Sequence, residues 1–193
     1  MSIPPVATPI LTPGCEFTVA ELSAMALDGV LVSVYGLAFR PVAEAESTSL
    51  RAAALAHQIP AALADRAALT RLSAAWVYGC APAPALISLA INSAHRSTAL
   101  PSHSGCVLHE VRLEAYDVER QGGALLTSAV RTAVDVAIHE RPETATAVLR
   151  AMAVRPELYC PLGRIRSALA NTVHRPGKLR AQQLLEDMLS RGG

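Results

Sequence analysis

The stretch from Leu125 to His139 constrains this chain more than any other. From Ala129 to Ile138 almost every position except Arg131 and Asp135 is apolar, so a helix here is buried on most sides. Thr127 or Ser128 stands where such a helix needs an N-cap. Arg131 and Asp135 lie one helical turn apart, which brings a guanidinium and a carboxylate onto one face. A lone buried charge is costly, so the expected role of the pair is architectural, clamping the helix to its neighbours.

With 193 residues, 51% of them hydrophobic and 17% charged, the chain has material for one globular domain with a real core. The apolar surplus is Ala, Leu and Val with only 4% aromatics, which favours helices. No apolar run approaches the roughly 18 residues of a membrane span, and the first residues lack a basic start followed by a long apolar stretch. The expectation is a cytoplasmic protein without a membrane partner. Cys15, Cys80, Cys106 and Cys160 are widely spaced with no C-x-x-C pair, as expected of reduced thiols.

Taken in order, residues 1–14 hold four prolines and read as a flexible lead-in. Residues 15–48 read as a small module. A helix from Phe17 to Leu27 carries a capping box at Thr18 and Glu21, and two strands, Val30 to Tyr35 and Leu37 to Pro41, flank a tight turn at Gly36. A helix followed by a hairpin is the latter part of a winged-helix module, here a reduced one; the other reading is an N-terminal flap packed on the core.

Residues 49–193 read as a helix-rich domain with a small β-sheet, making the whole chain α+β. Helices are expected at Leu50 to His57, Ala67 to Tyr78, Pro142 to Val154, Leu162 to Val173 and Lys178 to Ser190. The last should turn Leu184, Leu185, Met188 and Leu189 inward. Short strands are expected at Ala61 to Ala64, Leu86 to Ile91, Cys106 to Leu113 and Ala124 to Leu126. Trp76, set among small residues and followed by Gly79 as a helix C-cap, reads as core.

Candidate chemistry is sparse. His103, Cys106 and His109, with His95 upstream, are spaced H-x-x-C-x-x-H, but on a strand Cys106 and His109 point to opposite faces, so no metal is expected. No cofactor is expected either: the only lysine lies in Gly177-Lys178-Leu179, which is not a P-loop. Charge, however, is unevenly placed. Residues 1 to 50 carry one base against five acids, whereas Arg141 to Gly193 carry nine bases against four. A polyanion should therefore meet the C-terminal helices. The candidate nucleic-acid contacts are Arg40 in the hairpin and Arg164, Arg166, His174, Arg175, Lys178 and Arg180; an ordinary solvated helix face is the alternative.

The order of the hairpin ending Phe39-Arg40-Pro41, the segment Ser73-Ala74-Ala75-Trp76-Val77-Tyr78-Gly79, Asp117, and then Thr127-Ser128-x-x-Arg131-Thr132-x-x-Asp135 resembles the actinobacterial branch of the AbiEi-type antitoxin and transcriptional-regulator family. The resemblance runs from about Phe17 to Leu189, without the endonuclease-like domain that some larger relatives append. It implies a non-enzymatic, DNA-binding regulator that contacts its own promoter, with a nucleotidyltransferase-like toxin as cognate partner. Self-association is left open. The alternative is an interaction module that has lost DNA binding and acts by contacting another protein, a reading the acidic first fifty residues favour.

Overall fold

The computed structural model describes residues 10–14, 16–93, 100–173 and 176–191. Helix α1 (Val19–Leu27) starts on a closed capping box: Thr18 Oγ1 accepts from the Glu21 amide at 3.2 Å, and Glu21 accepts from the Thr18 amide at 2.7 Å. Strands β1 (Leu31–Tyr35) and β2 (Ala38–Pro41) pair antiparallel, turning at Gly36, whose φ of 54° suits a residue without a Cβ. Leu11 bridges to Phe39 through two backbone hydrogen bonds of 2.8 and 2.9 Å, fastening the end of the lead-in to β2. Residues 1–9 and Cys15 lie outside the described residues. Leu22, Leu31 and Phe39 form a small core between α1 and the hairpin, while Val34 and Tyr35 pack on the main core.

Helix α2 (Thr48–Ala56) is capped by Ser47, whose hydroxyl accepts from the Leu50 amide at 3.2 Å. Then come β3 (Ala67–Leu69), α3 (Arg71–Val77), β4 (Ile87–Asn92), β5 (Cys106–Val111), β6 (Val118–Gln121) and β7 (Ala124–Thr127). Four helices close the chain: α4 (Ala129–His139), α5 (Pro142–Ala153), α6 (Leu162–Asn171) and α7 (Lys178–Ser190). The fold is α+β, with a five-stranded mixed sheet in the order β5-β4-β3-β7-β6 beside the hairpin. β3 runs antiparallel to β4 and parallel to β7. α4 is the hub of the helical layer, touching α3, α5, α6 and α7. Among the described residues no helix is long and apolar enough to cross a membrane.

Several expected elements shift. Ala61 to Ala64 is a 3-10 turn (Ala61–Leu63) rather than a strand, and the strand falls at Ala67–Leu69, where the sequence pattern places the start of a helix. The helix itself starts only at Arg71. Ala67, Ala68 and Leu69 are all buried in the middle of the sheet, where close packing on both faces overrides alanine's helix preference. β6 escapes the sequence pattern because Glu119 and Arg120 interrupt any apolar alternation. It pairs with β7 around Gly122 and Gly123, both at positive φ, as a tight hairpin turn requires. In α7, Ala181, Leu185 and Met188 are buried, whereas Leu184 and Leu189 are only half covered.

The C-terminus of α3 explains the small residues around Trp76. The Cys80 and Gly79 amides bond back to Ala75 O and Trp76 O, both at 2.8 Å, a Schellman closure with Gly79 at φ 73°. Arg51 donates to Trp76 O at 2.8 Å and lies 5.4 Å over the indole ring, while Arg155 donates to Tyr78 O and Gly79 O at 3.1 and 3.0 Å. Two guanidiniums thus meet the negative end of the helix, and Trp76 is core, tilted against Tyr35 at 5.5 Å.

Candidate functional site

The cleft at the start of α4 has a volume of about 890 Å³. Its floor is the first turns of α4 (Ser128 to Arg131, then Val134 and Asp135), one wall is β6 with the preceding 3-10 turn (Ala115–Asp117), and the other is Glu157 to Tyr159 with α6.

Ser128 occupies the N-cap position but its side chain makes no capping bond. Thr127 is drawn elsewhere: its hydroxyl donates to Leu69 O at 3.2 Å, tying β7 to β3, and lies 2.7 Å from the Thr132 hydroxyl. Thr132 in turn donates to Thr127 O at 3.0 Å. Neither expected cap is therefore formed by a side chain, because the threonine serves the strand junction.

Arg131 holds more than Asp135. Its Nε donates to Asp135 at 2.9 Å, and its Nη1 donates to Asp117 at 2.8 Å and to Arg112 O at 3.1 Å. Asp135 also accepts from the Thr70 hydroxyl at 3.3 Å, and Asp117 accepts from the Glu114 amide at 3.0 Å. The side chains of Arg131, Asp117 and Asp135 are 12%, 14% and 6% exposed, so water screens them little. One guanidinium thus stands between two carboxylates, and the charge of Arg71 also acts on Asp135. Arg131 Nη2 is buried without a hydrogen-bond partner among the described residues.

Tyr78 reaches the same place from the end of α3. Its hydroxyl lies 2.8 Å from both Glu119 Oε1 and Thr127 O. Burial, then the hydrogen bond and charge of Glu119, push this phenol far above its ordinary range, so it remains a neutral donor. Sequence reasoning missed Tyr78, Thr70 and the role of Asp117, because contacts across 65 and 14 residues leave no local spacing signal.

Among the described residues expected to bind nucleic acid, Arg40, Lys178 and Arg180 have donors on nearby backbone carbonyls. Arg40 donates to Pro41 O at 3.2 Å and to Glu44 O, within its own loop. Lys178 donates to Ala170 O at 2.9 Å and to Thr172 O, closing the C-terminus of α6. Arg180 donates to Ile138 O and Glu140 O at 2.8 and 3.1 Å, closing that of α4. Arg164 and Arg166 are exposed on α6, and Arg164 lines the cleft while donating to Tyr159 O at 2.8 Å. His174 and Arg175 lie outside the described residues. Of the H-x-x-C-x-x-H residues, Cys106 and His109 are half-buried on β5 and His103 is exposed; His95 is outside the described residues. Among the described residues no three His, Cys, Asp or Glu side chains converge as metal ligands.

The thiols Cys80 and Cys160 are buried, and burial raises both, Cys160 to about 11. Comparison of the chain with models of known protein families and with curated proteins finds no match.

Proposed function

We propose that the chain is a non-enzymatic regulatory module that works by binding another protein in the cleft above Arg131. The observation that carries this reading is the contrast between the two candidate surfaces. Arg40, Lys178 and Arg180 have donors engaged with backbone carbonyls, whereas the cleft is a concavity of about 890 Å³ whose lining is more apolar than polar. Its charged floor is a set of mutually committed partners, which suits a rigid binding surface better than a reacting centre. An AbiEi-type antitoxin, the family the sequence resembles, would use such a surface on a nucleotidyltransferase-like toxin in the cytoplasm. Sedimentation of the chain with the product of an adjacent nucleotidyltransferase-like gene tests this. A stable complex that is lost when Asn171, exposed on the cleft wall, becomes Trp supports the reading. A complex indifferent to Asn171→Trp, or none, removes it.

A second reading, DNA binding at the chain's own promoter, draws on Arg164 and Arg166, both exposed on α6. It requires a mobility shift that weakens steeply with salt and is abolished by reversing those two charges.

A further inference from the structure

Strand β5 ends the five-stranded sheet, with β4 as its one neighbour strand. The Ile87 amide donates to Gly105 O at 2.8 Å and the Ser93 amide to Val111 O at 2.9 Å, in a parallel register that runs unbroken from Ile87 opposite Cys106 to Asn92 opposite Val111. Backbone groups alternate sides along a strand, so those of Val107, His109 and Val111 face β4, and those of Cys106, Leu108 and Glu110 face away from the sheet. Among the described residues, Leu108 and Glu110 find no backbone partner on that outer side, and the Cys106 amide meets only the Ser104 hydroxyl at 3.4 Å.

A row of open donors and acceptors is a template for another strand unless charge, proline, a bulge or a covering element blunts it. The opposite edge is blunted. β6 carries exposed Glu119 and Arg120 at its middle, and its turn packs through Gly122 on the backbone of α2. β5 has neither proline nor bulge, and Val107, Leu108 and Val111 are half-buried along it, with Glu110 as its exposed charge.

The edge also complements itself. Antiparallel pairing about Leu108 is the register in which all three outward residues meet outward residues: Leu108 opposite Leu108, and Cys106 of each copy opposite Glu110 of the other. Val107 then faces His109, so no two like charges are opposed. A net charge of +1 offers little repulsion between copies.

We infer that β5 is a homodimerisation edge, pairing antiparallel with β5 of a second copy about Leu108 and joining the two sheets into one. Because β6 is closed to strand pairing, assembly stops at two copies.

Sedimentation velocity of the full chain over a concentration series tests this, with amide hydrogen exchange followed by NMR. A reversible dimer of twice the chain mass is expected. Glu110→Pro removes an outward N–H and sets a ring against the incoming strand while leaving the bonds to β4, so it should weaken dimerisation at least about tenfold. Glu110→Gln keeps the N–H and should remain dimeric. In the parent chain the Leu108 and Glu110 amides should gain protection as concentration rises, a readout that holds even if the proline variant fails to fold. A monomer at every concentration, a dimer in which these amides stay unprotected, a dimer indifferent to Glu110→Pro, or assemblies larger than two overturns the inference.

Discussion

Arg131 is the residue on which the most depends, because it is the cation shared between Asp117 and Asp135. Exchanging the two charges, Arg131→Asp with Asp135→Arg, would keep a helical i,i+4 pair but place a carboxylate where Asp117 now meets a guanidinium. The swap should therefore destabilise by about 3–5 kcal/mol, the scale for leaving a buried charge uncompensated, and chemical denaturation measures it. An unchanged midpoint would reduce the network to a simple exchangeable pair. The helical spacing of Arg131 and Asp135 is legible in the sequence since both partners sit on one element. The third partner is not, because Asp117 arrives from a separate turn and the spacing rule reaches only one helical turn. Thr127 misleads for a related reason: a hydroxyl at a helix start reads as a cap, but the adjacent strand β3 offers Leu69 O as a competing acceptor.

At the scale of elements, the β6–β7 turn shows how two glycines with the same sequence signature differ. A Cβ on Gly122 would lie 2.1 Å from Ser49 O and 2.8 Å from Ala53 N, so the turn packs directly on the backbone of α2, whereas a Cβ on Gly123 meets nothing within 4 Å. Gly123→Ala should cost only the strain of its positive φ, about 1 kcal/mol, and Gly122→Ala several times that, because backbone cannot move aside as a side chain can. Thermal melts of the two variants side by side decide it, and equal losses would contradict the packing. Helices are the more legible elements. The capping box of α1 and the apolar periodicity of α5 and α7 are local patterns, so their positions follow from the chain itself. β3 and β6 are hidden because one is built of alanine and leucine and the other is a charged edge, and both acquire their conformation from their partners in the sheet. The cleft is invisible for the same reason, assembled as it is from β6, α4 and α6.

Across the molecule, acid sensitivity should follow from His109 on β5. Burial first, then the positive charge of Arg71, hold its imidazole below the usual value of 6.5, with Asp135 opposing weakly. The folded protein thus disfavours the protonated form. Its contribution is intact above the unfolded value and is lost as pH falls from about 6.5 towards the lowered folded value, as the unfolded chain takes up the proton first. Urea midpoints between pH 7 and 5 should decline more in the parent than in His109→Gln, and parallel curves would remove this histidine from the balance.

The strand order has a consequence for how the chain comes off the ribosome. β3 is the central strand, yet while β4 pairs with it early, its other neighbour is β7, with Ala68 and Leu69 waiting for Leu125 and Leu126. Until that distant segment has been synthesised, the nascent sheet carries an open edge at its fully buried central strand, and the helical layer has no α4 to organise it. Folding of this chain is therefore gated by the arrival of β7 and α4 together, and truncations ending before Ala124 should leave a sticky half-sheet rather than a smaller stable domain.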